Sequence, residues 1–271
     1  MSPSNGIARA AAIGMTVLSV LAAPPASADG FAAAASPPRF ELSTKPGAAV
    51  REVVEIDNAT LTPAAYAIKT ADWTLDANFG AIFSDALAPG SCRPWVAVER
   101  HEITVQGKGA YRFRFEVSPP ADTPRGECRF AILVEGAPLT VKTKSGLGVP
   151  VSGRLGVIVY LEIGGAQANL KMIGTAVAKV NGEPTPVIQV KNDGDAHGRL
   201  AGFLGGTDAH GARLSFAPAT FPILPGETRY IPLVVDQPEN SPPVHIAFPI
   251  TIHGKLQWAG GATPFLQRFG P

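Results

Sequence analysis

What most constrains this chain is its punctuation. Its 271 residues include 29 glycines and 26 prolines spread along the whole length, and between them lie short segments rich in Val, Ile, Phe and Tyr. Proline and glycine interrupt long helices, whereas strands of ordinary length fit between such breaks. The period inside the segments agrees. Tyr111, Phe113, Phe115 and Val117 alternate with Arg112, Arg114 and Glu116, which buries one face and leaves the other charged and solvated. Val54, Ile56 and Asn58 alternate in the same way with Val53, Glu55 and Asp57. Phe130 to Val134 is continuously apolar, as expected of a strand covered on both faces, and Leu155, Val157, Val159, Leu161 and Ile163 trace another long strand. No amphipathic helix of ordinary length is legible after the N-terminal segment. The expected class is all-β, with antiparallel sheets packed as sandwiches.

The rhythm breaks at Gly164-Gly165-Ala166-Gln167-Ala168-Asn169 and resumes from Leu170 through Pro186 to Val190, Arg199 to Phe203 and Arg229 to Val235. Small residues after a long strand suit a hinge, so two domains are expected, residues 29–164 and residues 165–271. Asn192-Asp193-Gly194-Asp195 reads as a tight turn with Gly194 at a positive φ, and Leu224-Pro225-Gly226-Glu227-Thr228 as a turn into the next strand. Phe31 to Ala35, with little to bury, reads as a mobile lead-in.

The N-terminus is of a different kind: Arg9, an apolar run from Ala10 to Ala23, Pro24-Pro25, then Ala26-Ser27-Ala28. A basic start, an apolar stretch too short for a permanent span and small residues at a cleavage site make a secretory signal peptide. Residues 1–28 are the expected leader, cleaved before Asp29, with an uncleaved anchor helix as the alternative. The mature chain then works outside the cytoplasm. There, the two cysteines, Cys92 and Cys128, read as one disulfide. Closing a loop of about 37 residues removes roughly 3 to 4 kcal/mol of denatured-state entropy in the chain-entropy account. With 23 Lys plus Arg against 22 Asp plus Glu and no basic run, neither nucleic acid nor an anionic membrane surface is suggested as a partner.

Catalytic signatures are missing. His101, His197, His210, His245 and His253 include no pair at helical ligand spacing, and two cysteines are too few for a structural metal site. Asp193, Asp195 and His197 make an acidic alternating patch without the full calcium-loop pattern, so a solvated turn is the favoured reading. Asp72 with Asp76, or Asp193 with Asp195, are carboxylate pairs that read as surface loop residues. No GxSxG, Walker, HExxH or nucleotide-type glycine pattern occurs. The chain is expected to be no enzyme, with no metal and no small-molecule cofactor.

The stretch from Leu133 to Ile163 carries more. Within it Leu147, Val149 and Val151 alternate with Gly148, Pro150 and Ser152. Extended at a sheet edge, it would offer alternate apolar side chains and unpaired backbone groups to an incoming strand. The other reading, an ordinary hairpin arm with its apolar face in the domain's own core, stays open. Pro150 leans towards an edge, because proline cannot donate to a central ladder.

In sequence the chain resembles the periplasmic pilus-assembly chaperones of the chaperone–usher pathway, the PapD-like proteins. The carriers are Pro38-Arg39-Phe40-Glu41-Leu42, the strand Val54-Glu55-Ile56-Asp57-Asn58, Ser118-Pro119-Pro120 before Arg125-Gly126-Glu127-Cys128-Arg129-Phe130, and the long strand ending at Ile163. The resemblance implies two immunoglobulin-like antiparallel β-sandwich domains in the periplasm. It implies pilus or fimbrial subunits as partners, bound by donor-strand complementation and delivered to an outer-membrane usher. Leu147, Val149 and Val151 look like the donor residues. Arg39 looks like one arm of the family's carboxylate anchor. The second arm is expected near Leu155 to Glu162, which holds no basic residue, so Arg154 is the nearest substitute. An alternative from another class is a structural or adhesive immunoglobulin-like module that stays in an exported assembly.

Overall fold

The computed structural model describes residues 31–142, 146–238, 241–242 and 244–270. The expected leader, residues 1–28 with cleavage before Asp29, lies outside them. Among the described residues the chain is built of strands, with one 3-10 turn at Arg93–Trp95, and no helix is long and apolar enough to cross a membrane.

The first sandwich has two layers. One is β1 (Ala33–Ser36), β3 (Val50–Asn58), β8 (Ala110–Val117) and β6 (Val96–Val98), in that spatial order. The other is β2 (Arg39–Thr44), β12 (Arg154–Ile163), β9 (Gly126–Gly136), β4 (Ala64–Leu75) and β5 (Ala81–Ser84), with β7 (Glu102–Val105) pairing the start of β4. Between β9 and β12 the chain makes a separate ribbon, β10 (Leu139–Lys142) against β11 (Gly148–Val151). The described ladders are antiparallel except that of β2 with β12. The alternation read from sequence supplies the core. Phe113, Phe115 and Val117 face inwards, meeting Phe130, Ile132, Val134, Val157 and Val159. Ala131 and Leu133 point the other way, into a second cluster with Ala71, Trp73 and Tyr160. Coverage on both faces is why Phe130 to Val134 has no polar residue. Each large side chain so buried stabilises the fold by about 1.5 to 3 kcal/mol.

The second sandwich is a seven-stranded path. β13 (Leu170–Val180) and β14 (Glu183–Asn192) join β17 (Thr228–Val235), followed by β16 (Arg213–Pro218), β15 (Leu204–Thr207), β18 (Ile250–Trp258) and β19 (Gly261–Phe269). β17 pairs with β14 through Pro232 and with β16 from Leu233 onwards. Proline has no N–H to give a ladder, which suits the residue at which a strand changes partner.

Three expectations need correction. Phe31 to Ala35 is not a loose lead-in: β1 pairs along β3, and the Phe31 ring meets Tyr66 edge-on at 6.0 Å. Small residues there allow close packing that composition alone undervalues. Arg199 to Phe203 is not a strand but holds one isolated bridge, Ala201 to Gln257. Gly202, at φ 128°, lies so close to its neighbour that a Cβ there would sit 2.3 Å from the Lys255 carbonyl oxygen, and this crossing breaks the extended run. Gly194 is absent from the glycines at positive φ. It is needed for space, since a Cβ would stand 2.3 Å from the Gln167 carbonyl oxygen.

Candidate functional site

The site begins with an edge. β2 accompanies β12 from Arg39 opposite Ile158 to Thr44 opposite Ile163, and the Ile158 N–H donates to Pro38 O at 3.2 Å. Among the described residues no strand pairs with Arg154–Val157 on that side. Upstream, in the ribbon, Val149 and Val151 are 38% and 50% exposed, and Leu147 is 66% exposed. The apolar residues singled out in sequence thus lie outside the described core, in a ribbon that leads into the open end of β12. Pro150 sits opposite Thr140 within it.

Arg39 and Arg154 lie on one face of this sheet, because Arg39 is in register with Ile158 and side chains alternate along a strand. They are not brought together. Four residues of β12 separate Arg154 from the register position of Arg39, roughly 13 Å along the strand. Arg154 Nε is 2.5 Å from Glu135 Oε1 and its Nη2 is 3.8 Å from Asp85. Arg39 Nε instead lies 2.9 Å from Glu41 Oε1.

Glu41 opens onto the junction between the sandwiches. Besides Arg39, its Oε1 is 3.4 Å from Arg199 Nε and 3.7 Å from His197 Nε2, both from the second sandwich. His197 Nδ1 lies 2.5 Å from Glu127 Oε2, which also accepts the His197 backbone N–H at 2.8 Å. Arg129 Nη1 donates to the other Glu127 oxygen at 3.0 Å. A carboxylate as enclosed as Glu127 is tolerable only with such compensation. The Tyr160 ring stacks on the imidazole at 3.8 Å, the Arg199 guanidinium stands 5.7 Å from that ring, and burial pushes the Tyr160 hydroxyl up to about 12. Burial likewise holds the Glu162 carboxyl above its ordinary value, with the nearby His197 opposing the shift.

Further contacts lock the sandwiches together. Arg125 Nε donates to Asp195 Oδ2 at 2.5 Å, and the Gln167 backbone N–H donates to Asp195 Oδ1 at 2.7 Å. Phe79 stacks on Phe221 at 4.1 Å, and Arg229 Nη1 donates to Asp76 O at 2.7 Å. Asp193 is taken by Lys191 and Lys171, which hold its carboxyl below the usual range. The acidic patch of the sequence is thus divided among ion pairs. Asp72 bonds Ser91 and Ala88, whereas Asp76 closes its own loop onto Asn78 and Gly80, so they do not act as a pair. Among the described residues no cluster of His, Cys, Asp and Glu is arranged to hold a metal. Cys92 and Cys128 are joined in a disulfide.

No protein-family model and no curated protein sequence matches the chain. Solved structures are similar to it at low identity. The Salmonella enterica SafB chaperone in complex with SafA pilin gives 13% identity over 88% of this chain and 96% of that one, with a TM-score of 0.46. The E. coli chaperone DraB gives 14% over 89% and 97%, with a TM-score of 0.43. The Pseudomonas aeruginosa CupB2 chaperone gives 13% over 84% and 97%, with a TM-score of 0.41.

Sequence reasoning singled out Arg39 but passed over Glu41, Glu127 and Arg199 as site residues, and took His197 for part of a solvated turn. Glu41 alone had a readable signal, since it lies two residues from Arg39 and therefore on the same face. The others meet only because two distant segments of chain pack across the junction.

Proposed function

We propose that this protein is a periplasmic chaperone that binds pilus or fimbrial subunits by donating a strand and passes them to an outer-membrane usher. One observation carries the reading. A ribbon with exposed Val149 and Val151 leads into β12, whose backbone edge is open until Arg39 and β2 close it at Ile158. Alternate apolar side chains beside an unpaired edge are what strand addition requires, the backbone giving affinity and the side chains specificity. Leu147, Val149 and Val151 are the donor residues in this reading, Arg39 is an anchor, and the disulfide braces the sheet that carries them. Arg154, held by Glu135, serves the ribbon's base.

The test is affinity capture from periplasm with mass spectrometry of the bound polypeptides, using the native chain and Val149→Asp. The expected result is a β-rich secreted subunit in equimolar complex with the native chain and absent from the variant. Val149 is exposed, so the variant should unfold within about 0.5 kcal/mol of the native chain. Recovery of the protein as a permanent component of surface fibres would instead favour the structural or adhesive module.

A further inference from the structure

Four neighbouring strands of the second sandwich, β16, β15, β18 and β19, hold no Asp or Glu, yet they carry Arg213, His253, Lys255 and Arg268. We propose that the outer face of these strands is a docking surface for a bilayer with anionic headgroups, held by the cations and by insertion of Phe203 and Leu266. None of these residues belongs to the ribbon or to the open edge of β12, so occupation of the face does not depend on strand addition.

Register brings the groups onto one face. Arg213 lies opposite Thr207, Thr207 opposite Thr251 and Thr251 opposite Arg268, while in the next outward row Gly205 lies opposite His253 and His253 opposite Leu266. Lys255 stands opposite Pro264. Phe203 falls beside Lys255, because the pair Leu204–Gly254 and the bridge of Ala201 to Gln257 keep one register on either side of it. Leu204, Ile252, Leu256 and Phe265 are buried on the inner side, which turns their alternate neighbours outwards. The His253 ring lies over Gly205, where a Cβ would stand 3.2 Å from its Cε1. Phe203 is 81% exposed and Leu266 68%. Two strand spacings across and two residues along put them roughly 12 Å apart.

Charge points to the partner. Elsewhere in the second sandwich Lys171 and Lys191 share Asp193, Arg199 faces Glu41 and Arg229 is held by Glu227. By contrast, Arg213, Lys255 and Arg268 form no ion pair with a described residue. Asp208, in the turn after β15, is committed to its own loop, where it accepts the His210 and Ala212 N–H groups. Asp236 borders the face beyond β17, its N–H donating to Ser215 O at 2.8 Å. The near-balance of charge over the whole chain conceals this separation. Backbone pairing is not the attraction, because β15 and β18 are bonded on both sides. The face therefore recognises through side chains alone. Singly exposed apolar residues are ordinary, but these two stand inside a cationic field without acids. Phosphate headgroups over hydrocarbon satisfy both kinds of group at once, the cations meeting phosphate while the ring and the leucine enter the apolar layer. An acidic protein face would suit the cations but set Phe203 and Leu266 against carboxylates.

The test is cosedimentation of the full chain with vesicles of phosphatidylglycerol and phosphatidylcholine in equal parts, against vesicles of phosphatidylcholine alone. The run from Ala10 to Ala23 is itself apolar, so the readout is the difference among proteins that share the same N-terminus. The native chain should partition about tenfold or more strongly onto the anionic vesicles at low salt, and most of that excess should vanish at high salt. Lys255→Gln and Arg268→Gln should each weaken binding about fivefold, and Phe203→Ser should weaken it severalfold. Lys45→Gln, which removes the same charge from an exposed site on the first sandwich, should leave it nearly unchanged. Equal binding to both kinds of vesicle, binding to neither, or an equal loss in Lys45→Gln and Lys255→Gln would overturn the lipid-docking face. A photoreactive phenylalanine at position 203 that crosslinks in cells to a polypeptide and not to lipid would likewise overturn it, and would assign the face to an acidic protein.

Discussion

Asn58 at the end of β3 and Asn192 at the end of β14 are both buried, and each ties its own turn to a distant strand or loop. The Oδ1 of each accepts the N–H two residues on, from Thr60 at 3.0 Å and from Gly194 at 2.9 Å. The Nδ2 of each donates to the carbonyl four residues on, Thr62 and Ala196, both at 2.8 Å. It also reaches a remote carbonyl, Val105 at 3.1 Å in one case and Ile223 at 2.8 Å in the other. The same residue type therefore closes the corresponding turn in each sandwich, by the side-chain mimicry of backbone that suits Asn to turns. Replacing Asn192 by Ala leaves two buried carbonyls without these donors and should lower stability by about 2 to 3 kcal/mol, measured as a shift in the urea midpoint at unchanged slope. An unshifted midpoint would mean that water replaces the side chain. The sequence marks Asn58 as the last inward residue of a strand, but not its task, because Val105 and Ile223 are remote in the chain.

Strands whose neighbours are already implied by their own period are the ones legible in sequence. Tyr111 to Val117 became β8 with Phe113, Phe115 and Val117 inside, and Leu155 to Ile163 lies wholly within β12. The parallel pairing of β2 with β12 has no such signal, since it joins residues at opposite ends of the first sandwich. Neither does the separate ribbon, because the alternation of Leu147, Val149 and Val151 fits a core strand and an open one equally well. The disulfide was legible from the number of cysteines together with the expected leader. It joins Cys92, just before the 3-10 turn, to Cys128 in β9, with Cα atoms 5.9 Å apart. Its effect falls on the unfolded chain, so reduction should lower the stability of the first sandwich by roughly 3 to 4 kcal/mol. Calorimetry with and without reductant should show the transition of the first sandwich moving down and that of the second unmoved. Equal displacement of both would mean that the two unfold as one cooperative unit.

At the scale of the molecule, the residues that join the sandwiches are mostly charged, and this is why sequence reasoning did not find them. Arg125, Glu127, Asp195 and Arg199 have the composition of a solvated surface, and only the packing of one sandwich against the other gives them partners. That junction has a pH dependence of definite sign. The hydrogen bond from Arg125 holds the Asp195 carboxyl below the usual carboxylate range, and the Gln167 N–H adds to the effect. As pH falls, the unfolded chain therefore takes up this proton before the folded one does. The stabilisation is fully present above the unfolded value of about 4 and is lost as pH drops through the lower folded value. Its size is modest, because the Asp195 side chain is 38% exposed and the pair is screened by water and salt. The readout should accordingly be local. Hydrogen exchange at the Gln167 amide, corrected for its intrinsic rate, should become less protected below pH 4, while amides inside β9 keep their protection. Asp195→Asn should show weakened protection at neutral pH and no further change on acidification. If Gln167 in the native chain stayed equally protected from pH 7 to pH 3, the Asp195 contact would not be what holds the segment between β12 and β13 in place.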